Sequence, residues 1–169
     1  MSVQDQRVFL IGFMGVGKTT MGRRLAKRLH LEYRDLDQEI EFAASMFIPD
    51  IFNLLGEEQF RKMEAETLRR QQPGHLIACG GGTPCFHDNM NWMNANGITI
   101  YLQASPKFLA DRLMKSKKPR PLLKGMNQVQ LSDFIASKLE ERQPFYEQAK
   151  IIAPLPQTKL KGLLEMVGA

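Results

Sequence analysis

The feature that most constrains this chain is Gly12-Phe13-Met14-Gly15-Val16-Gly17-Lys18-Thr19, a match to G-x-x-x-x-G-K-[ST] at every fixed position. With glycine at about 7% of an average sequence, a chain of this length meets that pattern by chance on the order of one time in a hundred. The flanks narrow it further. Residues 7–12 are a short apolar run ended by glycine, as expected of a strand buried on both faces of a parallel sheet. From residue 19 to 29, Met21, Leu25, Ala26 and Leu29 recur at helical spacing, with Arg23, Arg24, Lys27 and Arg28 on the remaining faces. A strand, a glycine loop and a helix in this order let successive backbone N–H groups curl around phosphate oxygens, with the positive helix end behind them. Lys18 then reaches the β and γ phosphates, and Thr19 is placed to ligate magnesium.

The remaining chain alternates in the same way. Strands are expected at 31–35, 75–79, 98–102 and 151–153, and helices after Asp37, from Pro49 to Leu55, at 57–72, 88–94, from the Ser105 cap, at 132–149 and at 158–167. Asn96-Gly97 reads as a turn before the fourth strand, and Gly80-Gly81-Gly82 as backbone that approaches something closely. This alternation implies an α/β sandwich with a mainly parallel sheet, whose ligands gather beyond the carboxyl ends of the strands.

Composition excludes several classes. The 169 residues suit one domain, and 43% hydrophobic with 24% charged residues argues against disorder. No apolar run is long enough for a membrane span, the first residues lack the build of a secretory signal, and a cytoplasmic protein is expected. Cys79 and Cys85 are spaced for neither a disulfide framework nor a metal knuckle and read as thiols. The net charge of +5 decides little. Lys115, Lys117, Lys118, Arg120 and Lys124, however, fall in an acid-free segment with Pro119 and Pro121, a basic loop that suits a solvated run, phosphate binding or nucleic-acid contact.

Phosphate cradles serve kinases, ATPases and switch GTPases alike. An Asn-Lys-x-Asp base-reading motif is absent from the sequence, which argues against the last. Asp35 and Asp37 follow the second expected strand and fit either a division of labour, Asp35 toward magnesium and Asp37 toward a substrate hydroxyl, or helix capping. Arg61 and Glu64 share a helix face, as a surface pair or as a guanidinium held in place. Phe52 and Phe60 fit the core or a pocket wall, and Arg142 fits a solvated helix face.

Taken together, the loop with Gly22-Arg23-Arg24-Leu25-Ala26, Asp35-Leu36-Asp37, the stretch from Ile51-Phe52 through Gly56-Glu57-Glu58-Gln59-Phe60-Arg61 to Glu64, the triple glycine, Arg120-Pro121-Leu122-Leu123 and Arg142-Gln143-Pro144-Phe145-Tyr146 resemble the shikimate kinase family. The resemblance runs over residues 7–153. It implies a three-layer α/β sandwich with a five-stranded parallel sheet, a P-loop NTPase fold resembling nucleoside monophosphate kinases. Residues 1–169 would be one kinase domain, with a substrate-binding region at about 35–64 and a lid at about 115–126. It implies ATP-dependent phosphorylation of the 3-hydroxyl of shikimate on the path to chorismate and the aromatic amino acids. Shikimate and ATP would be the partners and Mg2+ the cofactor, with no nucleic acid, no membrane and a monomeric state.

By the same resemblance, Gly15, Val16, Gly17, Lys18, Thr19, Thr20 and Arg120 hold the nucleotide, and Thr19 and Asp35 the metal. Asp37, Arg61, Gly81 and Arg142 would bind shikimate, with Asp37, Lys18 and Arg120 catalytic. Arg61 and Arg142 match a clamp on the substrate carboxylate, Asp37 a carboxylate on the ring hydroxyls, Arg120 a lid arginine and Arg112 a partner for adenine. Phe52 and Phe60 match aromatic residues near the shikimate pocket. Residues 43–49 depart from the commonest family pattern, and Cys85 and Phe86 match no family role.

Overall fold

Strand β1, Arg7–Ile11, has four buried residues in succession, Val8, Phe9, Leu10 and Ile11. Side chains on a strand point alternately to opposite faces, so both faces of the sheet are covered. The computed structural model describes residues 2–117, 120 and 123–168. The other strands are β2 (Glu32–Asp35), β3 (His75–Ala78), β4 (Gly97–Gln103) and β5 (Ile151–Pro154). All pair in parallel, in the order β2-β3-β1-β4-β5, with Val8 opposite both Leu76 and Ile98.

The helices are α1 (Lys18–Leu29), α2 (Leu36–Ala44), α3 (Ile48–Leu55), α4 (Glu57–Arg69), α5 (Asn89–Asn96), α6 (Pro106–Lys115), α7 (Gln128–Tyr146) and α8 (Leu160–Val167). Leu25, Ala26 and Leu29 of α1 are buried, as their spacing requires, and Arg24, Lys27 and Arg28 are exposed. From the centre of the sheet the chain builds one half through β2 and β3, then crosses to build the other through β4 and β5. The carboxyl end of β1 therefore lies where the winding direction reverses, the usual place for a ligand crevice in open α/β sheets.

Several boundaries differ from sequence expectation. Helix α7 starts four residues early because Asn127 and Gln130 form a capping box: the Asn127 side chain accepts from the Gln130 N–H at 2.8 Å, and Gln130 Oε1 accepts from the Asn127 N–H at 3.0 Å. Asn96-Gly97 is no turn, since α5 runs through Asn96 and β4 begins directly at an extended Gly97. Short 3-10 turns at Val3–Asp5 and Thr83–Cys85 carried no periodic signal. Lys118, Pro119, Pro121 and Leu122 of the basic loop lie outside the described residues.

Candidate active site

The loop between β1 and α1 needs backbone that side-chain-bearing residues rarely adopt. Gly15 (φ 79°) and Gly17 (φ 106°) both lie in left-handed territory. Gly17 is the N-cap of α1 and supplies no side-chain cap, so the first amides of the helix receive no capping bond from it. Lys18 curls back over the loop and donates to the carbonyls of Gly12 at 2.5 Å and Phe13 at 3.0 Å. Val16 has its side chain in the core and its N–H turned to the Phe13 carbonyl at 3.3 Å. Gly15, Gly17, Lys18, Thr19 and Thr20 line a cleft of about 880 Å³ at the carboxyl ends of the strands.

Across that cleft stand Asp35, Asp37, Glu41, Ile48 and Pro49 from β2, α2 and α3, and Lys115, Arg120 and Leu123 from the basic segment. The two aspartates divide in a way their spacing leaves open. Asp35 is the N-cap of α2, accepting from the Gln38 N–H at 3.3 Å, so capping does not occupy Asp37. Glu41 accepts from the Ile48 N–H at 3.0 Å and so fixes the first turn of α3 beside the cleft. Arg112 also lines the cleft, donating to the Gly15 carbonyl at 3.0 Å.

The glycine run is what joins the two sides. A Cβ at Gly80 would sit 3.0 Å from Asp37 Oδ1, one at Gly81 2.9 Å from Arg142 Nη1, and one at Gly82 2.7 Å from Arg61 Nη2. Each glycine thus lets backbone pass directly against one expected substrate-binding side chain. The same Gly81 Cβ would lie 3.7 Å from both Gly12 O and Met14 N, so this backbone also touches the phosphate loop. Arg142 stacks 5.3 Å over the Phe13 ring of that loop. Gly80 and Gly81 line the cleft, and Arg61 and Arg142 lie against the glycine run rather than in the cleft wall. Buried Tyr146 of α7 donates its hydroxyl to the Gly81 carbonyl and ties the run to the helix that carries Arg142.

Arg61 is held from several sides. Its Nη1 donates to Glu64 Oε1 at 2.8 Å, and Glu64, only 1% exposed, accepts from Thr83 Oγ1 at 2.7 Å. The surface-pair reading therefore gives way to a buried, hydrogen-bonded ion pair. Phe52 and Phe60 stack on each other at 4.7 Å, outside the cleft wall.

Burial dominates the titration of the central pair. Asp37 is pushed up to about 6, with Asp35 and Glu64 adding to the rise and Lys18 opposing it. Lys18 is brought down to about 8, again by burial, with Asp37 pulling it back up. Cys79, in the cleft wall, is buried and held in the thiol form by desolvation. Thr19 and Asp35 line one cleft, and the described residues contain no group of three or more His, Cys, Asp or Glu side chains suited to a metal. One hydroxyl and one carboxylate fit a Mg2+ ion that keeps waters and takes phosphate oxygens, not a dedicated protein cage.

A five-stranded parallel sheet with this loop and cleft defines a P-loop nucleotide-binding protein of the α/β class. The comparisons narrow the class. The shikimate kinase family model matches residues 14–161. A curated shikimate kinase of Parabacteroides distasonis is 48% identical over 148 residues, covering 86% of each chain. The crystal structure of shikimate kinase from Bacteroides thetaiotaomicron superposes with a TM-score of 0.91 at 37% identity, over 97% of this chain and 99% of that one. That of Acinetobacter baumannii shikimate kinase in complex with shikimate gives 0.83 at 32% identity, over 98% and 92%. The chain belongs to the shikimate kinase family. Among the described residues no helix is long and apolar enough to cross a membrane.

Proposed function

We propose that this chain transfers the γ-phosphoryl group of ATP to the 3-hydroxyl of shikimate, producing shikimate 3-phosphate and ADP. The observation that carries this reading is Gly81, whose backbone lies against both the phosphate loop and Arg142. Phosphoryl transfer needs donor and acceptor in line, and this backbone sets the two binding regions side by side.

The roles follow from the groups present. Loop amides and Lys18 take the ATP phosphates, Lys18 leaving the Gly12 and Phe13 carbonyls it now contacts. Arg61 and Arg142 clamp the shikimate carboxylate, two guanidiniums suiting one anion. Asp37, with a pKa raised to about 6, is a better proton acceptor for the attacking hydroxyl than an ordinary carboxylate, and it stands beside Gly80, the residue before the Gly81 that lies against Arg142. Thr19 and Asp35 hold the Mg2+ that accompanies ATP, which offsets phosphate charge when bound. Arg120 and Lys115 already line the cleft, which supports residues 115–126 as a lid and the phosphate reading of the basic loop. Arg112, whose Nε donates to the Gly15 carbonyl of the phosphate loop, would stack on adenine.

The test is ADP release by purified protein. Turnover should require ATP, Mg2+ and shikimate together. A rate indifferent to shikimate, or one restored by gluconate or a nucleoside monophosphate in its place, would overturn the assignment.

A further inference from the structure

The Arg61 guanidinium lies 4.0 Å above the ring of Phe86, nearer than the 5.1 Å to its sequence neighbour Phe60. Phe86 is not a core residue: it is 37% exposed and stacks on a charge. Its backbone is heavily determined. The Thr83–Cys85 turn precedes it, and His87 (φ 49°) and Asp88 (φ 56°) follow it, two successive residues other than glycine in left-handed conformation. Such strain persists only where surroundings impose it, and it concentrates at functional sites. Here Arg69 imposes it, donating to the His87 carbonyl at 2.8 Å and to Asn89 Oδ1 at 2.8 Å, while buried Asn89 donates to the Thr83 carbonyl at 2.9 Å. The same turn supplies Thr83, which donates to the Glu64 that accepts from Arg61 Nη1.

We propose that Phe86 is a positioning residue of the acceptor site: its ring fixes the plane of the Arg61 guanidinium, and the strained turn around it exists to hold that ring. This rests on the reading of Arg61 as a carboxylate ligand. A guanidinium binds a carboxylate through planar, directional N–H groups, so its orientation sets affinity. Glu64 pins Nη1 at 2.8 Å, whereas Glu57 Oε1, on an exposed side chain, accepts from Nε and Nη2 only at 3.4 Å, so the carboxylates hold one edge firmly and the plane of the group loosely. A flat ring against the face fixes that plane without taking up an N–H group, so Nη2 is free to exchange its long Glu57 contact for a substrate carboxylate.

The test is steady-state kinetics on Phe86→Ala, Phe86→Leu and Phe86→Tyr, each alone and with Arg61→Ala. Phe86→Ala should raise the KM for shikimate roughly three- to thirtyfold, the range of a cation–π contact, and move the KM for ATP far less. Phe86→Tyr, which keeps the ring, should restore most of the loss, and Phe86→Leu, similar in bulk without a π face, should not. In the Arg61→Ala background, Phe86→Ala should add nothing. An unchanged shikimate KM in Phe86→Ala, rescue by leucine, a matching rise in the ATP KM, or an additive loss without Arg61 would each overturn the proposal. Thermal melting of each variant separates a folding defect, which would weaken both substrates together. Arg61→Ala alone tests the reading beneath: an unaltered shikimate KM there refutes the clamp itself, whatever Phe86 does.

Discussion

The phosphate loop and the proposed acceptor site are built on opposite plans. The first is one contiguous segment, residues 12–20, whose working parts are mostly backbone and whose unusual dihedrals reside in glycines. The second draws Asp37 from α2, Arg61 from α4, Gly81 from the loop after β3 and Arg142 from α7, and depends on charged side chains held by neighbours. A backbone cradle binds any polyphosphate and identifies little about the reaction. The proposed acceptor site, assembled from distant elements, would carry the specificity and would form only when the whole domain is folded.

The strongest way to break this division is Lys18→Ala. It should lower kcat roughly a thousandfold or more while shikimate binding, measured by titration, persists. Loss of both would mean that the two regions are not separable. The mirror experiment is Arg142→Ala, expected to raise the KM for shikimate roughly ten- to a hundredfold with the KM for ATP little changed. Gly81→Ala should fall between the regions. Its new Cβ would stand 2.9 Å from Arg142 Nη1, a movable side chain, and 3.7 Å from the phosphate loop. A rise in shikimate KM of roughly three- to tenfold is expected, with little effect on melting temperature.

Proton titration sharpens the same contrast. At limiting ATP, kcat/KM reports the free enzyme. It should rise through about pH 6 as Asp37 ionises and fall through about pH 8 as Lys18 loses its proton. Saturating ATP should move only the upper limb, to higher pH, because phosphate favours the charged ammonium. An acid limb that shifts with nucleotide as much as the basic one would contradict the separation.

The smallest effect is on stability. The folded chain keeps the Asp37 proton up to about pH 6, whereas the unfolded chain releases it near the ordinary aspartate value. Stability therefore falls as pH rises between those values, and the cost is complete above them. Asp37→Asn should stabilise the inactive protein by about 1 to 2 kcal/mol at neutral pH, less than the full shift because Lys18 loses its counter-charge. Denaturant unfolding at neutral pH reads this directly, and a variant less stable than the parent would refute the desolvation argument.

The same contrast explains what could be read without coordinates. The loop was legible because its residues are adjacent and glycine and lysine at fixed spacing have few other uses. The strands and α1 followed from apolar periodicity, and the early start of α7 had an available signal in the Asn127 and Gln130 capping pair. Asp37, Arg61 and the triple glycine were open alternatives by spacing, whereas Arg142, by spacing one charge on a polar helix, emerged as a candidate only through family resemblance. Spacing also failed to decide which aspartate caps α2, a question settled by the Gln38 amide choosing Asp35. Phe86 left no trace because its partner is 25 positions away, its turn follows no period, and its function lies in facing a charge rather than the core.

The central claim, that the phosphate loop and the arginine clamp serve one direct displacement, is best tested by the stereochemistry of transfer. With ATP whose γ-phosphorus is made chiral by oxygen isotopes, shikimate 3-phosphate should form with inversion at phosphorus. Retention would require a phosphorylated enzyme intermediate between two separate displacements, and would contradict a site in which Gly81 sets donor and acceptor side by side.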